Sequence, residues 1–240
     1  METMEKALFI AAFFFAYTVQ AITGFAGNVF AMPVGTQLLG LSSSVAILNA
    51  MGFFACGLLT IMNFKSVNWR ELAKIVLTML PFVLIGIWLD TVLPLHILLR
   101  IYGVIIVAIG LKNLLQKRQK FLPEWALWTI LALAGLVQGM FVSGGALLVI
   151  YTVQKLQDKQ QFRMTLSATW AILNLIYAVI AFGQGSFTGE VVQIVLMCVP
   201  VAVLATWIGN RLQKKISQEK FLKLTYVLLL FVGVMLLVSA

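Results

Sequence analysis

Acidic side chains are scarce in this sequence, and none lies where a transmembrane proton relay needs one. The chain has 240 residues, of which 8 are Asp or Glu, and all of these fall near the ends of apolar segments. Proton-carrying membrane proteins usually hold a carboxylate inside a span. The sequence therefore argues against a carboxylate relay.

Residues that commonly carry catalysis or hold a metal are rare as well. The single histidine, His96, lies in a turn, which excludes a Ser-His pair or a multi-histidine metal centre. Cys56 and Cys198 lie inside apolar segments at positions that do not correspond, so we expect buried thiols, with no disulfide or metal site. No GxxxxGK[ST] motif is present to bind a nucleotide. We therefore expect neither an enzyme nor a cofactor.

What the sequence has in abundance is apolar residues. They make up 62% of the chain, against 10% charged, which leaves too few polar groups to cover a water-soluble globule. We predict an all-α integral membrane protein with a lipid bilayer as its surroundings and no nucleic-acid partner. The apolar runs lie at about 7–23, 28–40, 43–64, 72–89, 94–114, 125–142, 145–156, 164–183, 190–209 and 221–239. The second and seventh runs are too short to span a bilayer core of about 30 Å.

The sequence contains a weak duplication. Asn49 ends the motif Ala46-Ile47-Leu48-Asn49 and Asn174 ends Ala171-Ile172-Leu173-Asn174, while the order of the flanking landmarks is the same in both halves. We predict two repeats, 1–120 and 121–240, that together form one transmembrane domain. Each repeat would consist of a broken hairpin at a glycine turn followed by three membrane-crossing helices.

The positions of the basic residues indicate that the two repeats are inverted. Most of the 17 Lys and Arg residues lie in four clusters, at 65–74, 112–120, 155–163 and 211–223. Placing every cluster in the cytoplasm by the positive-inside rule gives the two halves opposite orientations and puts both termini outside. Inverted repeats with broken helices are typical of secondary transporters.

The two glycine turns are the candidate functional site. Hairpins that enter from opposite faces would bring both turns near the midplane, where the N-terminal amides of two short helices favour an anion. Amide side chains at matching repeat positions could donate further hydrogen bonds, although they could equally serve as contacts between helices. The candidate binding residues are Gln20, Gly24, Gly27, Asn28, Asn49, Gln138, Ser143, Gly144, Gly145, Ser167, Thr169, Trp170 and Asn174. Arg163 is a basic residue that could instead meet an anion at a cytoplasmic vestibule.

Two motifs resemble the TauE/SafE sulfite exporter-like permeases, also called the TSUP family. They are the turn and apolar helix with proline at 24–33 (GFAGNVFAMP) and the short basic turn at 67–70 (VNWR). Asn28 and Ala146 stand where the family commonly has a further glycine, and Tyr151 stands opposite Pro33. The resemblance implies a permease for small sulfur-containing anions, including sulfite, thiosulfate and organosulfonates.

On that basis we expect a secondary membrane transporter, working as an exporter by alternating access in the inner (plasma) membrane. Two alternatives stay open: a passive anion channel with the same site, and a membrane subunit that docks a soluble sulfur-metabolising enzyme through its basic loops. The sequence also leaves open whether copies of the chain form a homo-oligomer.

Overall fold

The computed structural model describes residues 3–90, 103–104, 106–108, 110–111, 114, 122–141 and 145–239. These residues are helical apart from short connections, and no β-strand occurs among them. In chain order the helices are α1 (Thr3–Thr23), α2 (Gly27–Leu39), α3 (Leu41–Met62), α4 (Trp69–Asp90), α5 (Glu124–Phe141), α6 (Gly145–Lys155), α7 (Lys159–Gly183), α8 (Gly189–Lys214) and α9 (Gln218–Ser239). Described residues between 103 and 114 are helical too, whereas most of the run predicted at 94–114 lies outside the described residues.

The helices have the length and surface of membrane spans. In the described part of the chain, α1, α3, α4, α7 and α8 are long and apolar enough to cross a bilayer. Large apolar side chains stay exposed along these helices, among them Leu77, Phe182 and Leu196. Such a surface is stable against lipid and unstable against water. The predicted all-α membrane protein is confirmed at this level.

The two short apolar runs form short helices, as predicted. With 13 residues in α2 and 11 in α6, their lengths are about 20 and about 17 Å at 1.5 Å per residue. Neither can cross a hydrocarbon core of about 30 Å alone. The structure thus places a helix break after α1 and a second short helix after α5.

Two helices extend beyond the apolar runs that predicted them. The start of α7 lies five residues before the run at 164–183, because Asp158 Oδ1 accepts hydrogen bonds from the backbone N–H groups of Gln160 (3.0 Å) and Gln161 (2.8 Å). This caps the first turn. At the other end, α8 continues to Lys214, with Arg211 and Lys214 in its last turn. Basic side chains there are favoured by the helix dipole.

The chain divides into two compact units. Unit 1 comprises Met1–Leu72 and Arg163–Ile216, and unit 2 comprises Ala73–Phe162 and Ser217–Ala240. Each unit therefore combines residues from both predicted repeats. The inverted arrangement of the repeats stays a prediction.

The core of unit 1 forms where α1 and α3 pack against α8. Aromatic residues of α1, including Phe13 and Tyr17 with ring centroids 4.0 Å apart, meet small residues of α8 such as Ala202. Gly209 allows α8 to approach α1 closely, since a Cβ there would lie 2.7 Å from the Thr18 carbonyl oxygen. Unit 1 is thus a bundle in which backbones come into direct contact.

Unit 2 contains a comparable crossing of α4 and α5. A Cβ at Gly139 would lie 2.2 Å from the carbonyl oxygen of Val83, and one at Gly135 would lie 2.7 Å from that of Met79. The four-residue spacing of these glycines is the small-xxx-small pattern of tightly packed membrane helices.

Candidate functional site

The first glycine turn ends α1 and begins α2. Gly24 has φ +85°, in the left-handed region, and its N–H donates to the Gln20 carbonyl oxygen at 2.7 Å. A Cβ at Gly24 would lie 2.8 Å from the Arg163 carbonyl oxygen and 3.0 Å from its Cα. Glycine is therefore required here both for the backbone angle and for the close approach of α7.

Ala26 and Gly27 have roles in the turn that the sequence did not indicate. Ala26, a residue with a Cβ, takes the left-handed conformation at φ 75°. Gly27 is instead the first helical residue of α2, and its missing side chain makes room for Gln20, whose Oε1 would be 1.7 Å from a Cβ there. The second glycine of the motif serves packing.

Gln20 and Asn28 hold the turn against α3. The side-chain NH2 of Gln20 donates to Cys56 Sγ at 2.7 Å. Tyr17 Oη lies 3.0 Å from the Leu48 carbonyl oxygen and 3.0 Å from the Asn28 amide. A phenol has one proton, so Tyr17 donates to one of its two acceptors, the Leu48 carbonyl oxygen and Asn28 Oδ1, at a time. Tyr17 and Cys56 were not among the candidate binding residues, although Cys56 was expected to be a buried thiol and is one.

Arg163 is buried at the same turn, with 0% of its surface exposed, and does not face a vestibule. Its Nε donates to the Ala21 carbonyl oxygen at 2.7 Å and its Nη2 to Asn210 Oδ1 at 2.5 Å. In a continuous helix the Ala21 carbonyl would accept from the N–H of Phe25, which lies beyond the break. Arg163 therefore caps the C-terminal end of α1, where a positive charge is also favoured by the helix dipole.

Asn174 of α7 lies against α3, and the residues concerned all belong to unit 1. The Asn174 side chain lies against Gly52, where a Cβ would be 2.4 Å from its Nδ2. Asn49 is one turn before Gly52 on the same face of α3, and Ser167 and Trp170 precede Asn174 on one face of α7. We call this group, Asn49, Gly52, Ser167, Trp170 and Asn174, the α3–α7 seam.

The seam contains buried polar atoms with no hydrogen-bond partner. These are Asn49 Oδ1, Ser167 Oγ and Trp170 Nε1. Asn49 is 2% exposed and Ser167 is 0% exposed. An unsatisfied buried polar group costs about 1–3 kcal/mol, so such groups usually have a ligand, a water or a functional reason.

Ser167 differs in this respect from other hydroxyls of the described helices. Thr152, Thr169 and Thr225 each donate to the carbonyl oxygen four residues earlier in their own helix, at 2.8, 2.9 and 3.0 Å. Ser167 makes no such bond. Thr169, a candidate from the sequence, thus has its proton engaged within α7, while the Ser167 hydroxyl stays available.

The structure describes fewer residues around the second glycine turn than around the first. Gln138 is buried in α5 and Gly145 is the first residue of α6, both in unit 2. Ser143 and Gly144 lie outside the described residues. The meeting of the two turns near the midplane remains a prediction.

With this geometry in place, comparison with known proteins identifies the family. The family described as "Sulfite exporter TauE/SafE" matches residues 8–236. The chain belongs to this family. This confirms the resemblance, which rested on the glycine turn at 24–33 and the basic turn at 67–70. This TauE/SafE protein is a multi-pass membrane protein of a transporter family.

Two curated relatives are similar to this TauE/SafE protein over most of their length. One is the "Probable inner membrane transporter protein TsaS" of Comamonas testosteroni, 26% identical over 178 residues, which cover 73% of this chain and 74% of the relative. Another is the "Probable sulfite/organosulfonate exporter TauE" of Cupriavidus necator, 24% identical over 235 residues, which cover 92% of this chain and 89% of the relative. No solved structure matches the chain.

Proposed function

We propose that the chain is a secondary transporter that exports a small sulfur-containing anion, such as sulfite, thiosulfate or an organosulfonate, across the inner membrane. The observation that carries the proposal is the α3–α7 seam, where Asn49, Ser167 and Trp170 keep buried polar atoms without partners. In a protein of a transporter family, unsatisfied polar atoms inside a span favour a position where a substrate binds. The names of the two relatives favour a sulfur-containing anion.

The proposed site has neutral donors at its centre. The hydroxyl of Ser167 and the indole N–H of Trp170 donate to anion oxygens, and Asn174 contributes its amide beside them. The N-terminal amides of α2 at Gly27 and Asn28 add a favourable helix dipole. In the sequence, Gln138, Ser143, Gly144 and Gly145 hold the matching positions of the second repeat.

Transport would follow from inversion of the two repeats. Repeats of opposite orientation can adopt two related conformations that open the site to one side and then to the other. The positions of the basic clusters favour this arrangement, with both termini outside. The same basic clusters also attract anionic lipid headgroups, whichever conformation is present.

Counterflow in proteoliposomes tests the transporter against its alternatives. Purified protein is reconstituted into vesicles loaded with unlabelled sulfite, and uptake of labelled sulfite, thiosulfate, sulfoacetate or taurine is followed. We expect saturable uptake that the trans anion accelerates, since a carrier exchanges bound substrate. Uptake that neither saturates nor responds to the trans anion would indicate a channel. No uptake by the purified protein, followed by uptake once a soluble partner is added, would indicate the docking subunit.

A further inference from the structure

A narrow void lies inside unit 1 between α1, α3 and α8. Its polar lining residues are Tyr17, Gln20, Cys56 and Thr206, and the space is too narrow to admit a water molecule. Interior voids that stay empty are usually apolar. A polar lining therefore favours a space that opens and fills in another conformation.

Arg163 closes this void on one side. Ala21, which lines the void, accepts a hydrogen bond from Arg163 Nε at 2.7 Å. Asn210, one turn after Thr206 on α8, accepts from Arg163 Nη2 at 2.5 Å. The Arg163 backbone also lies directly against Gly24. One buried side chain thus holds α1, α7 and α8 together beside the void.

The two ends of unit 1 differ in charge and in packing. Glu5 and Glu190 line a cavity of about 310 Å³ at the N-terminal ends of α1 and α8. At the C-terminal ends of the same helices, Gly209 packs against Ala21, and the last turn of α8 is basic. The two helices therefore run in the same direction. Unit 1 is open at an acidic end and closed by Arg163 near a basic end.

The void and part of the proposed site lie at the same depth. Helices α3 and α7 are antiparallel, since Gly52 lies against Asn174 while the backbone just beyond α3 bonds to Thr165 near the start of α7. Cys56 is one turn after Gly52, and Trp170 is one turn before Asn174. Both are therefore displaced from that contact towards the basic end.

An anion that arrives from the basic end would compete for Arg163. The Ala21 carbonyl oxygen and Asn210 Oδ1 are neutral acceptors. Hydrogen bonds in which donor or acceptor is ionised are roughly twice as strong as neutral ones, and a guanidinium can bind an oxyanion with two parallel N–H bonds. Ser167 follows Arg163 by one turn on the same face of α7, so the anion would pass Arg163 before it reaches Ser167.

We propose that Arg163 is an anion-selective gate at the basic end of unit 1. It closes the void through its bonds to Ala21 and Asn210, and it exchanges these bonds for an entering oxyanion, which moves on to Ser167 and Trp170. The gate rests on the proposed function, because Ser167 and Trp170 are its destination. While the gate is open, an anion in the void reaches Cys56.

The thiol of Cys56 provides the test, because Cys56 is the remaining cysteine once Cys198→Ser is made. Two methanethiosulfonates of similar size are compared on this purified protein in detergent: the anionic 2-sulfonatoethyl and the cationic 2-(trimethylammonium)ethyl reagents. Each forms a mixed disulfide with Cys56 and releases methanesulfinate. Each rate is divided by the rate of the same reagent with a free thiol in solution.

On that scale the anionic reagent is expected to modify Cys56 about tenfold faster than the cationic one, because a positive charge at the entrance raises the local concentration of anions. Equal scaled rates would overturn the gate. A Cys56 that neither reagent modifies, in a protein that shows counterflow, would also overturn it, since the void would then stay closed during transport.

Aspartate variants of two asparagines assign the preference to Arg163. Asn210→Asp keeps an acceptor for Arg163 and adds a carboxylate beside the guanidinium, so the preference for the anionic reagent is expected to disappear. Asn68→Asp is the matched control, because Asn68 Oδ1 accepts from the Glu71 N–H at 3.1 Å and an aspartate keeps that bond. The control adds the same charge within unit 1 and is expected to keep the preference.

A preference that persists in Asn210→Asp would show that another charge selects the anion. If Asn210→Asp does not fold, Arg163→Gln replaces it, with an amide donor in place of the guanidinium and the same expected loss of preference. Modification of Cys56 requires no transport. Charge-selective modification without counterflow would therefore retain the gate and lose the transporter, whereas counterflow with equal scaled rates would do the reverse.

Discussion

Gly24→Val is expected to abolish transport while leaving membrane insertion intact. Gly24 has φ +85°, which a β-branched residue does not adopt without strain. A Cβ would also lie 2.8 Å from the Arg163 carbonyl oxygen, a backbone atom that cannot move away without shifting α7. The strain alone amounts to about 1–3 kcal/mol. Counterflow in proteoliposomes with equal amounts of inserted protein measures the result.

Gly185 provides the control for this substitution. It also has a positive φ, of +72°, in the connection between α7 and α8, but nothing lies within 4 Å of where its Cβ would be. Gly185→Val therefore carries backbone strain without the collision, and we expect most of the transport rate to remain. Equal loss in both variants would show that contact with Arg163 is irrelevant. Normal transport by Gly24→Val would remove the turn from the mechanism.

Arg163→Met is expected to lower both the melting temperature and the transport rate severely. Methionine fills much of the same space but cannot donate, so the Ala21 carbonyl oxygen and Asn210 Oδ1 each lose a buried donor. An acceptor left unsatisfied costs about 1–3 kcal/mol, so the two together are a large fraction of a typical folding stability. Thermal unfolding in detergent and counterflow check the two effects.

Two further variants test the cause of that loss. Arg211→Met is the surface control, because Arg211 is exposed and contacts the Trp207 ring at 3.9 Å, and little change is expected. The double variant Arg163→Met with Asn210→Leu should recover part of the stability, since removing both partners leaves one fewer unsatisfied group. No recovery would mean that the bond to Asn210 contributes little. A stable and active Arg163→Met would contradict the capping role.

The sequence was a good guide to features that depend on segment length and glycine. Short apolar runs at 28–40 and 145–156 became α2 and α6, because a run of that length cannot span a bilayer whatever its neighbours are. Gly24 was recognisable as a turn residue since few residues other than glycine adopt its backbone angle. The order of these elements was also enough to indicate the family.

Features that depend on tertiary contacts were not predictable in the same way. Arg163 looked like one more charge of a cytoplasmic cluster, because its burial arises from Ala21 and Asn210, which are distant in the sequence. The left-handed Ala26 also had no local signal, because alanine seldom takes this conformation and does so here only within the packed turn. Gly52 has no special backbone angle; its role follows from the Asn174 side chain that lies against it.

Some of the polar residues of the proposed site could be identified from the sequence. Asn49 and Asn174 stood out by their repetition, and Ser167 and Trp170 by their spacing from Asn174. Three of these four, all but Asn174, have a buried polar atom without a partner. Which of their atoms remain without a partner could not be predicted, because that depends on side-chain orientation. Thr169, two residues after Ser167, donates its hydroxyl to the Thr165 carbonyl oxygen, whereas Ser167 makes no such bond.

The most direct test of the account is the affinity of the purified protein for sulfite after Trp170→Phe. This change removes the indole N–H and keeps an aromatic ring. A hydrogen bond to a charged group contributes about 1.5–3 kcal/mol, so the dissociation constant should rise by roughly one to two powers of ten. Trp207→Phe, at a tryptophan that contacts Arg211, should leave the affinity unchanged. An unchanged dissociation constant in Trp170→Phe, in a protein that still folds and transports, would show that the anion does not bind in the α3–α7 seam.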